Sequence, residues 1–435
     1  MARDLHRAVA HATVARAGSA LSGASAHLLA IRLFGARHYG EFVLAESIVL
    51  ALSIVALSGT HVSAFGLLGE RRGASVRTGL KAGAALIAAL TLSMLILLAI
   101  SLQPLSHFAP ESMQALRPWV LPALASVLGM SFYRFLSELL RIEVGVGLAN
   151  YFSGRGNGFA SSAAFSLLLG ASFIGGHPPA TPADLLMLMA AGQWIGVLLA
   201  LGLLLPRLAA ISQSEPSMMQ TLREFWHRGP LISLTQGLQI AQANIDLWLL
   251  GALGSPAMLG VYGLGKRFAL WLVAPTGLVA LSAKKRAVDE YLSHGRVSRE
   301  LERAFRRAAL RSWLGVVALV LGAALVPASW LQVVAGAHAD DSRWIFVALG
   351  VGQVVRLLFG NGGPILGAAG HEHDNLRAHV WGVLAAALIG ATTIPLIGGW
   401  GAACAYSLGM ILCAVIVSRA CEKQMGFACD LIRMK

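Results

Sequence analysis

Charged side chains stand inside several apolar stretches of this 435-residue chain. A charge at the centre of a bilayer costs roughly 2.5–3.5 kcal/mol on insertion scales, so such residues usually line a pathway or bind a ligand. Only Asp246 and Glu138 supply acidic groups at comparable depth, so the interior is predicted to be net cationic. The candidate binding cations are Arg16, Arg134, Lys266, Arg267 and Arg356.

A cationic interior attracts phosphate or carboxylate groups, and arginine suits phosphate because its guanidinium donates two parallel hydrogen bonds. Polar amides extend this chemistry along one face of the predicted seventh span, where Gln236, Gln239, Gln242 and Asp246 follow one another. Such a stripe would be unsatisfied against lipid and should face protein or water. Gln239 and Gln242 therefore join the candidate substrate-binding residues. A ligand with both phosphate and sugar is the simplest that meets these demands.

Two cations of the N-terminal half, Arg134 and Arg16, have structural alternatives that the sequence leaves open. In the predicted fourth span, Arg134, Glu138 and Arg141 lie on one helix face, so Arg134 and Glu138 can form an ion pair. Arg141 is near the cytoplasmic end and is expected to extend toward the interface. Arg16 lies within about two turns of the cytoplasmic end of the first span. It is either a pore-side cation or an interfacial anchor.

A second group of charges lies in the C-terminal half. Asp246, near the outer end of the seventh span, can meet either Lys266 or Arg267 in the eighth, which leaves the other base without an acid. The alternative to ligand binding is a salt bridge that only locks two helices together. Arg356 lies near the middle of the tenth span, where no acidic residue is available on the same helix. This pattern favours an anionic ligand at Arg356.

The elements that must position these residues are membrane-spanning helices. The chain is 56% hydrophobic and 13% charged, and its mean hydropathy is +0.68, which exceeds what a soluble core requires. A spanning helix needs about 20 mostly apolar residues. The sequence thus predicts an all-α polytopic membrane protein with about twelve transmembrane helices. These lie near residues 10–33, 42–67, 80–102, 118–142, 150–174, 183–206, 229–253, 258–282, 308–327, 343–369, 378–397 and 399–419.

Lysine and arginine are concentrated in every second loop, which places both termini in the cytoplasm. Most of the net charge of +13 lies in these loops, where it sets the topology and attracts anionic lipid. No nucleic acid partner is therefore predicted. The basic start, with Arg3 and Arg7, leads into a small-residue helix, and no cleavable signal is predicted. The four cysteines have neither zinc-finger nor C-x-x-C spacing, so neither a disulfide nor a metal site is predicted.

A polar stretch near the middle of the chain divides it into two six-helix bundles. The predicted domains are residues 1–207, a cytoplasmic linker at 208–228, a second bundle at 229–420 and a cytoplasmic tail at 421–435. A faint repeat of Leu-Phe-Gly and Tyr-Gly motifs supports the division, and transporters with internal repeats bind substrate between them near mid-membrane. The longest inner loop, Lys284 to Arg307, is predicted to form an amphipathic helix at the interface.

Several short motifs carry a resemblance to a known family over essentially the whole chain. They are residues 32–35 with 39–42, residues 244–246 with 260–263, and residues 367–372 with 397–403. On these residues the chain resembles the Wzx-type polysaccharide flippases of the multidrug/oligosaccharidyl-lipid/polysaccharide exporter superfamily. The resemblance implies a twelve-helix, two-bundle, V-shaped fold in the bacterial cytoplasmic (inner) membrane. It also implies that undecaprenyl-diphosphate-linked oligosaccharide is flipped from the inner to the outer leaflet by alternating access.

The expected partners are the lipid-linked oligosaccharide diphosphate, membrane lipids and, as a further candidate, a glycan polymerase. Such a flippase serves the assembly of O-antigen (lipopolysaccharide), capsule or exopolysaccharide, and no enzymatic activity or cofactor is expected. Proton or sodium coupling is a further expectation of the resemblance. The residues that could bind the coupling ion are Asp246, Glu46, Glu138 and His27.

Two rival interpretations remain open from the sequence. One is an ion-coupled drug or metabolite exporter on the same fold, for which neutralising Lys266 or Arg356 should leave transport intact. The other is a membrane glycan polymerase or ligase, which is expected to carry a substantial outer loop with catalytic arginine or histidine residues. The outer connections of this chain are short, which disfavours the enzyme.

Overall fold

The computed structural model describes residues 2–68, 74–108, 110–153, 158–209, 217–272, 274–336 and 338–432, and every regular element in these ranges is an α-helix. The predicted all-helical class is confirmed, and the chain is a multi-pass membrane protein. Seven of the described helices are long and apolar enough to cross a membrane. They are Ala17–Leu57, Val76–Ile96, Arg117–Glu143, Pro182–Ala209, Arg299–Leu325, Glu372–Ile397 and Gly399–Met425.

The first compact unit comprises residues 1–30 and 45–237. Its elements are α1 (Ala2–Leu57) without residues 31–44, α2 (Thr60–Leu68), α3 (Ala74–Phe108), α4 (Pro110–Glu143), α5 (Val146–Ala149), α6 (Phe159–Ile174), α7 (Pro182–Ala209) and the first half of α8 (Met218–Leu253). Within it, α4 packs along α7, α6 packs against α7, and α3 and α2 both lie against α4. The fifth predicted span is shorter than expected, because its helix begins only at Phe159.

The second compact unit comprises residues 31–44 and 238–435. Besides residues 31–44 and the second half of α8, its elements are α9 (Pro256–Trp271), α10 (Ala274–His294), α11 (Arg299–Leu325), α12 (Ala328–Ala335), α13 (Ala339–Leu358), α14 (Gly363–Ala368), α15 (Glu372–Ile397) and α16 (Gly399–Met425). Here α15 and α16 form a close antiparallel pair, and α13 packs against α9, α11 and α16. The predicted domain boundaries remain a prediction; the packing itself assigns residues 31–44 to this unit.

The second predicted span is interrupted at Ser58 and Gly59, both of which have positive φ. The interruption packs closely on α8, since a Cβ on Gly59 would lie 2.6 Å from the carbonyl oxygen of Gly229. The hydroxyl of Ser233 donates to the carbonyl of Ile54 at 3.3 Å. A broken helix in a membrane requires such partners, because water is not available to satisfy the freed backbone groups.

The tenth predicted span is also divided, because α13 is separated from α14. The connection from α13 to α14 turns at Gly360, whose φ is +78°. Discontinuous helices of this kind commonly form binding sites in transporters, because they expose helix ends inside the membrane.

Glycines allow two helices of the second unit to cross with their backbones in contact. A Cβ on Gly40 would lie 2.0 Å from the carbonyl oxygen of Pro256, and a Cβ on Gly260 would lie 1.9 Å from the carbonyl oxygen of Ala36. Helix α9 begins at this crossing, with Ser255 as its N-cap and Pro256 in its first turn. Small residues are the usual means of close helix contact in membranes.

The predicted single amphipathic helix across Lys284–Arg307 is wrong, because the chain turns at Gly295, which has a φ of +70°. Helix α10 ends at His294, and α11 begins after Ser298, whose hydroxyl accepts from the Leu301 N–H at 3.3 Å. Across the turn, the Ser298 N–H donates to the Glu290 carboxylate at 2.8 Å. Hydrogen bonds from Ser298 hold the pKa of Glu290 below its ordinary value.

Candidate functional site

The first unit contains a cation, Arg134, that has no acidic partner among the residues that the structure describes. The Nε and Nη2 atoms of Arg134 on α4 are buried and make no hydrogen bond within the described part of the chain. The imidazole of His61, in the first turn of α2, lies within electrostatic range of this guanidinium and beside the side-chain amide of Gln236 on α8. Two atoms of these neighbours, His61 Nδ1 and Gln236 Oε1, are likewise buried without a partner among the described residues.

The sequence left open whether Glu138 neutralises Arg134. In the structure the carboxylate of Glu138 instead binds Arg141, at 2.9 Å between Oε2 and Nη1. Spacing could not decide between the two partners, because both lie within one helical turn of Glu138. Of the two arginines on either side of Glu138, Arg141 is therefore paired with it, and Arg134 has no acidic partner among the described residues.

The second unit contains a buried ion pair. Nζ of Lys266 lies 2.6 and 2.7 Å from the two carboxylate oxygens of Asp246, and the Tyr262 hydroxyl donates to the same carboxylate. Asp246 is fully buried and Lys266 is 2% exposed. The ammonium also lies 4.8 Å from the ring centroid of Tyr406. Lys266 is therefore the base that meets Asp246, and in this structure its ammonium is engaged by protein.

A chain of polar contacts continues from this ion pair toward the predicted anion site. The Gln353 amide donates to the hydroxyl of Tyr406 at 3.2 Å, and Nη1 of Arg356 donates to Oε1 of Gln353 at 3.0 Å. Arg356 thus has a side-chain amide beside it, and its predicted role in anion binding remains untested. Because α9, α13 and α16 each contribute a residue to these polar contacts, the contacts hold the three helices in fixed relative positions.

A second polar group in this unit is built around Gln242. Its amide nitrogen donates to the carbonyl of Gly409 at 3.2 Å, while its oxygen faces Nδ1 of His379. The sulfur of Cys413 lies 3.6 Å from the same imidazole nitrogen. Gln242 was predicted to line a ligand site, and the structure places it 2% exposed between α15 and α16.

The remaining predicted residues are not brought together by the structure. Gln239 is exposed on α8, and Arg267 is half-buried on α9 next to Lys266. Glu46 and His27 are buried in separate parts of α1. Arg16 lies on α1, but its side chain is outside the described residues. The described residues contain no group of three or more histidine, cysteine, aspartate or glutamate side chains that could hold a metal ion.

Sequence reasoning missed several residues of these clusters, namely His61, Tyr262, Tyr406 and His379. Each contacts a partner on another helix, so no helical spacing connects it with that partner. The one available signal was that both tyrosines and both histidines fall within apolar stretches, where a polar atom requires a hydrogen-bond partner.

Several solved structures of membrane transporters have a similar fold. The structure is similar to the lipid II flippase MurJ in an inward closed conformation, with a TM-score of 0.66 and 15% identity over 94% of this chain and 87% of the other. It is similar to the MATE multidrug transporter DinF-BH, with a TM-score of 0.61 and 17% identity over 94% of this chain and 93% of the other.

A variant of the Vibrio cholerae MATE transporter VcmN is also similar, with a TM-score of 0.59 and 14% identity over 96% of this chain and 98% of the other. At these identities the similarity defines the fold, and the flippase and the drug transporters share it. No family model matches the chain, and no curated protein matches it by sequence.

Proposed function

We propose that this protein moves a lipid-linked oligosaccharide diphosphate from the inner to the outer leaflet of the bacterial inner membrane. The observation that carries the proposal is Arg134 on the membrane-spanning helix α4, whose buried Nε and Nη2 atoms have no hydrogen-bond partner and no acidic partner among the described residues. An isolated buried charge is costly unless a ligand or water satisfies it. An anionic ligand is the partner that would also compensate its charge.

The neighbours of Arg134 support a phosphate-bearing, hydroxyl-rich ligand. The guanidinium presents Nε and Nη2 on one edge, which is the edge that donates two parallel bonds to phosphate. The Gln236 amide and the His61 imidazole supply polar atoms for hydroxyl groups. The lipid chain of such a substrate would remain in the bilayer while its head group enters the protein. The fold shared with the lipid II flippase MurJ is compatible with a substrate of this kind.

In the proposed cycle, one half of the chain rocks against the other to expose the head group to the opposite leaflet. Lys266 would contribute to anion binding only in a state in which Asp246 releases it, because the two are now paired. Asp246, Glu46, Glu138 and His27 remain the predicted ion-coupling candidates, with proton or sodium as the ion. A glycan polymerase remains the predicted protein partner.

The proposal is tested by replacing Arg134 with leucine. Transport of a fluorescent polyprenyl-diphosphate-linked oligosaccharide into the inner leaflet of proteoliposomes should fall at least about tenfold, because loss of one charge-assisted contact costs about 1.5–3 kcal/mol. The matched control is Arg207→Leu, which removes an exposed arginine of the same unit that donates to the backbone carbonyl of Glu143 and should transport normally.

The drug-exporter alternative is distinguished in the same vesicles. If Arg134→Leu transports the diphosphate substrate at the wild-type rate, or if the wild-type protein moves an organic cation but not the diphosphate, the flippase proposal fails.

A further inference from the structure

A cavity of about 290 Å³ lies between α10 and α14 in the second unit. Its described lining comprises Lys284, Lys285, Val288 and Asp289 from α10 and Ala368 from α14. Pockets that enclose drug-sized ligands measure about 300–1,000 Å³, so this cavity fits a smaller polar group. Its lining residues are different from those that surround Arg134 and Asp246.

The two helices that form the cavity are held together on both sides of it. They share a buried apolar core made of Ala280, Ala283, Ala287, Ile365, Leu366 and Ala369. One turn further along α10, the hydroxyl oxygen of Tyr291 lies 2.9 Å from Nε2 of His371, in the connection that follows α14. The walls of the cavity are therefore positioned by the fold before a ligand binds.

The charge of the lining favours an anion. Among the described residues, neither Lys284 nor Lys285 has an ion-pair partner, and the nearby Glu290 is engaged by Arg286 at 2.9 Å. With Asp289, the described lining carries two positive charges and one negative charge. A group with a single negative charge, such as a phosphodiester, matches this balance.

The position of the lysines along α10 places the cavity at the level of lipid head groups. Residues 274–283 of this helix carry no charge, and Lys284 begins a charged run that continues to Glu290. Such a transition is typical of the membrane surface, where basic residues accumulate on the cytoplasmic side. Ala368 ends the predicted tenth span on the same predicted side. Basic pockets between helices on that side bind the head groups of anionic lipids.

We propose that this cavity binds an anionic phospholipid, whose phosphodiester group is held by Lys284 and Lys285. The acyl chains stay in the bilayer along the apolar part of α10, and Val288 and Ala368 pack against the glycerol backbone. A zwitterionic head group such as phosphocholine fits less well, because its own cation is repelled by the two ammonium groups. This lipid is distinct from the transported substrate, since Arg134 belongs to the first unit.

The first experiment compares lipids. The full chain is purified in detergent and titrated with phosphatidylglycerol or with phosphatidylcholine of the same acyl chains, and bound lipid is counted by native mass spectrometry. We expect the first phosphatidylglycerol to bind at least about fivefold more tightly than the first phosphatidylcholine. Equal affinities would contradict the proposal. Equally tight binding of soluble glycerophosphoglycerol would also contradict it, because the site would then take a free phosphodiester and not a lipid.

The second experiment assigns the binding to the cavity. The double variant Lys284→Gln with Lys285→Gln should weaken phosphatidylglycerol binding at least about tenfold, because both ammonium groups are removed from one head group. Its unfolding midpoint without lipid should equal that of the wild type. The matched control is Arg286→Gln with Lys423→Gln, which removes two exposed charges from the same predicted side outside the described lining. This control should bind the lipid as the wild type does.

A change of opposite sign is expected at Asp289. Asp289→Asn removes the acid from the described lining, so phosphatidylglycerol should bind at least about twofold more tightly. Glu300→Gln, at an exposed acid on α11, should have no effect, and Arg134→Leu should leave lipid affinity unchanged even if it abolishes transport. Wild-type affinity in the double lysine variant, or an equal loss in that variant and its control, overturns the proposal.

Discussion

Replacing Lys266 with methionine is expected to destabilise the protein by about 3–5 kcal/mol, because Asp246 would keep a buried charge without its counter-ion. The Tyr262 hydroxyl would still donate to the carboxylate, but one hydrogen bond does not compensate a charge transferred out of water. The measurement is the free energy of unfolding in mixed micelles titrated with sodium dodecyl sulfate.

The matching double variant separates charge from packing. Combining Lys266→Met with Asp246→Asn removes both charges and keeps similar volumes, so most of the lost stability should return. A second control is Arg286→Gln on α10, which breaks a largely exposed pair with Glu290 and should cost at most about 1 kcal/mol. If the single and double variants at Lys266 unfold at the same detergent concentration, the ion pair is not what stabilises this contact.

The second large effect is expected at the helix crossing of the second unit. Changing Gly260 to alanine places a methyl group 1.9 Å from the carbonyl oxygen of Ala36, and a backbone atom cannot move aside as a flexible side chain does. Overpacking costs typically 1–3 kcal/mol and occasionally more. We expect the upper part of this range or beyond, seen as a lower yield of folded protein and a lower unfolding midpoint in detergent.

The same substitution at an open glycine provides the control. Gly322 on α11 has nothing within 4 Å of its missing Cβ, so Gly322→Ala should be neutral or slightly stabilising, because alanine is the better helix former. If Gly260→Ala and Gly322→Ala have the same unfolding midpoint, the helices that cross at Gly260 are able to move apart without loss of stability.

The sequence predicted the fold well because a membrane imposes a strong and local constraint. Several of the apolar stretches lie entirely within one described helix, for example residues 183–206 within Pro182–Ala209. The interruptions were less visible, since Ser58 and Gly59 look like ordinary small residues in an apolar run. Their break depends on the close approach of Gly229 from another helix, and sequence periodicity carries no information about that contact.

The candidate site was predictable in its residue types but not in its pairing. The sequence placed Arg134 and Arg141 on one face with Glu138, about one helical turn away on either side, and only the structure shows that Glu138 pairs with Arg141. The sequence also allowed Asp246 to pair with either of two adjacent bases, and only the structure shows that its partner is Lys266. The contact of His379 with Gln242 could not be inferred, because it joins residues on two helices that are far apart in the sequence.

The pairing also changes how the interior cations are interpreted. A cation held by a buried carboxylate cannot bind a substrate in the same state, so Lys266 contributes to the stability of this state and not to its affinity for anions. Arg134 is different, since the described residues offer no acid to it. The proposed function therefore depends most directly on Arg134, which is also the residue whose replacement tests it.

The course of the backbone limits how this protein can be divided. Residues 31–44 pack with the second unit although the segments on both sides of them pack with the first. A gene fragment that starts after Ala209 would therefore encode a second half without the segment that covers Gly260. Recombination at the linker alone separates residues 31–44 from the unit in which they pack. A chimera that exchanges residues 31–44 together with 238–435 keeps both parts of this unit from the same parent.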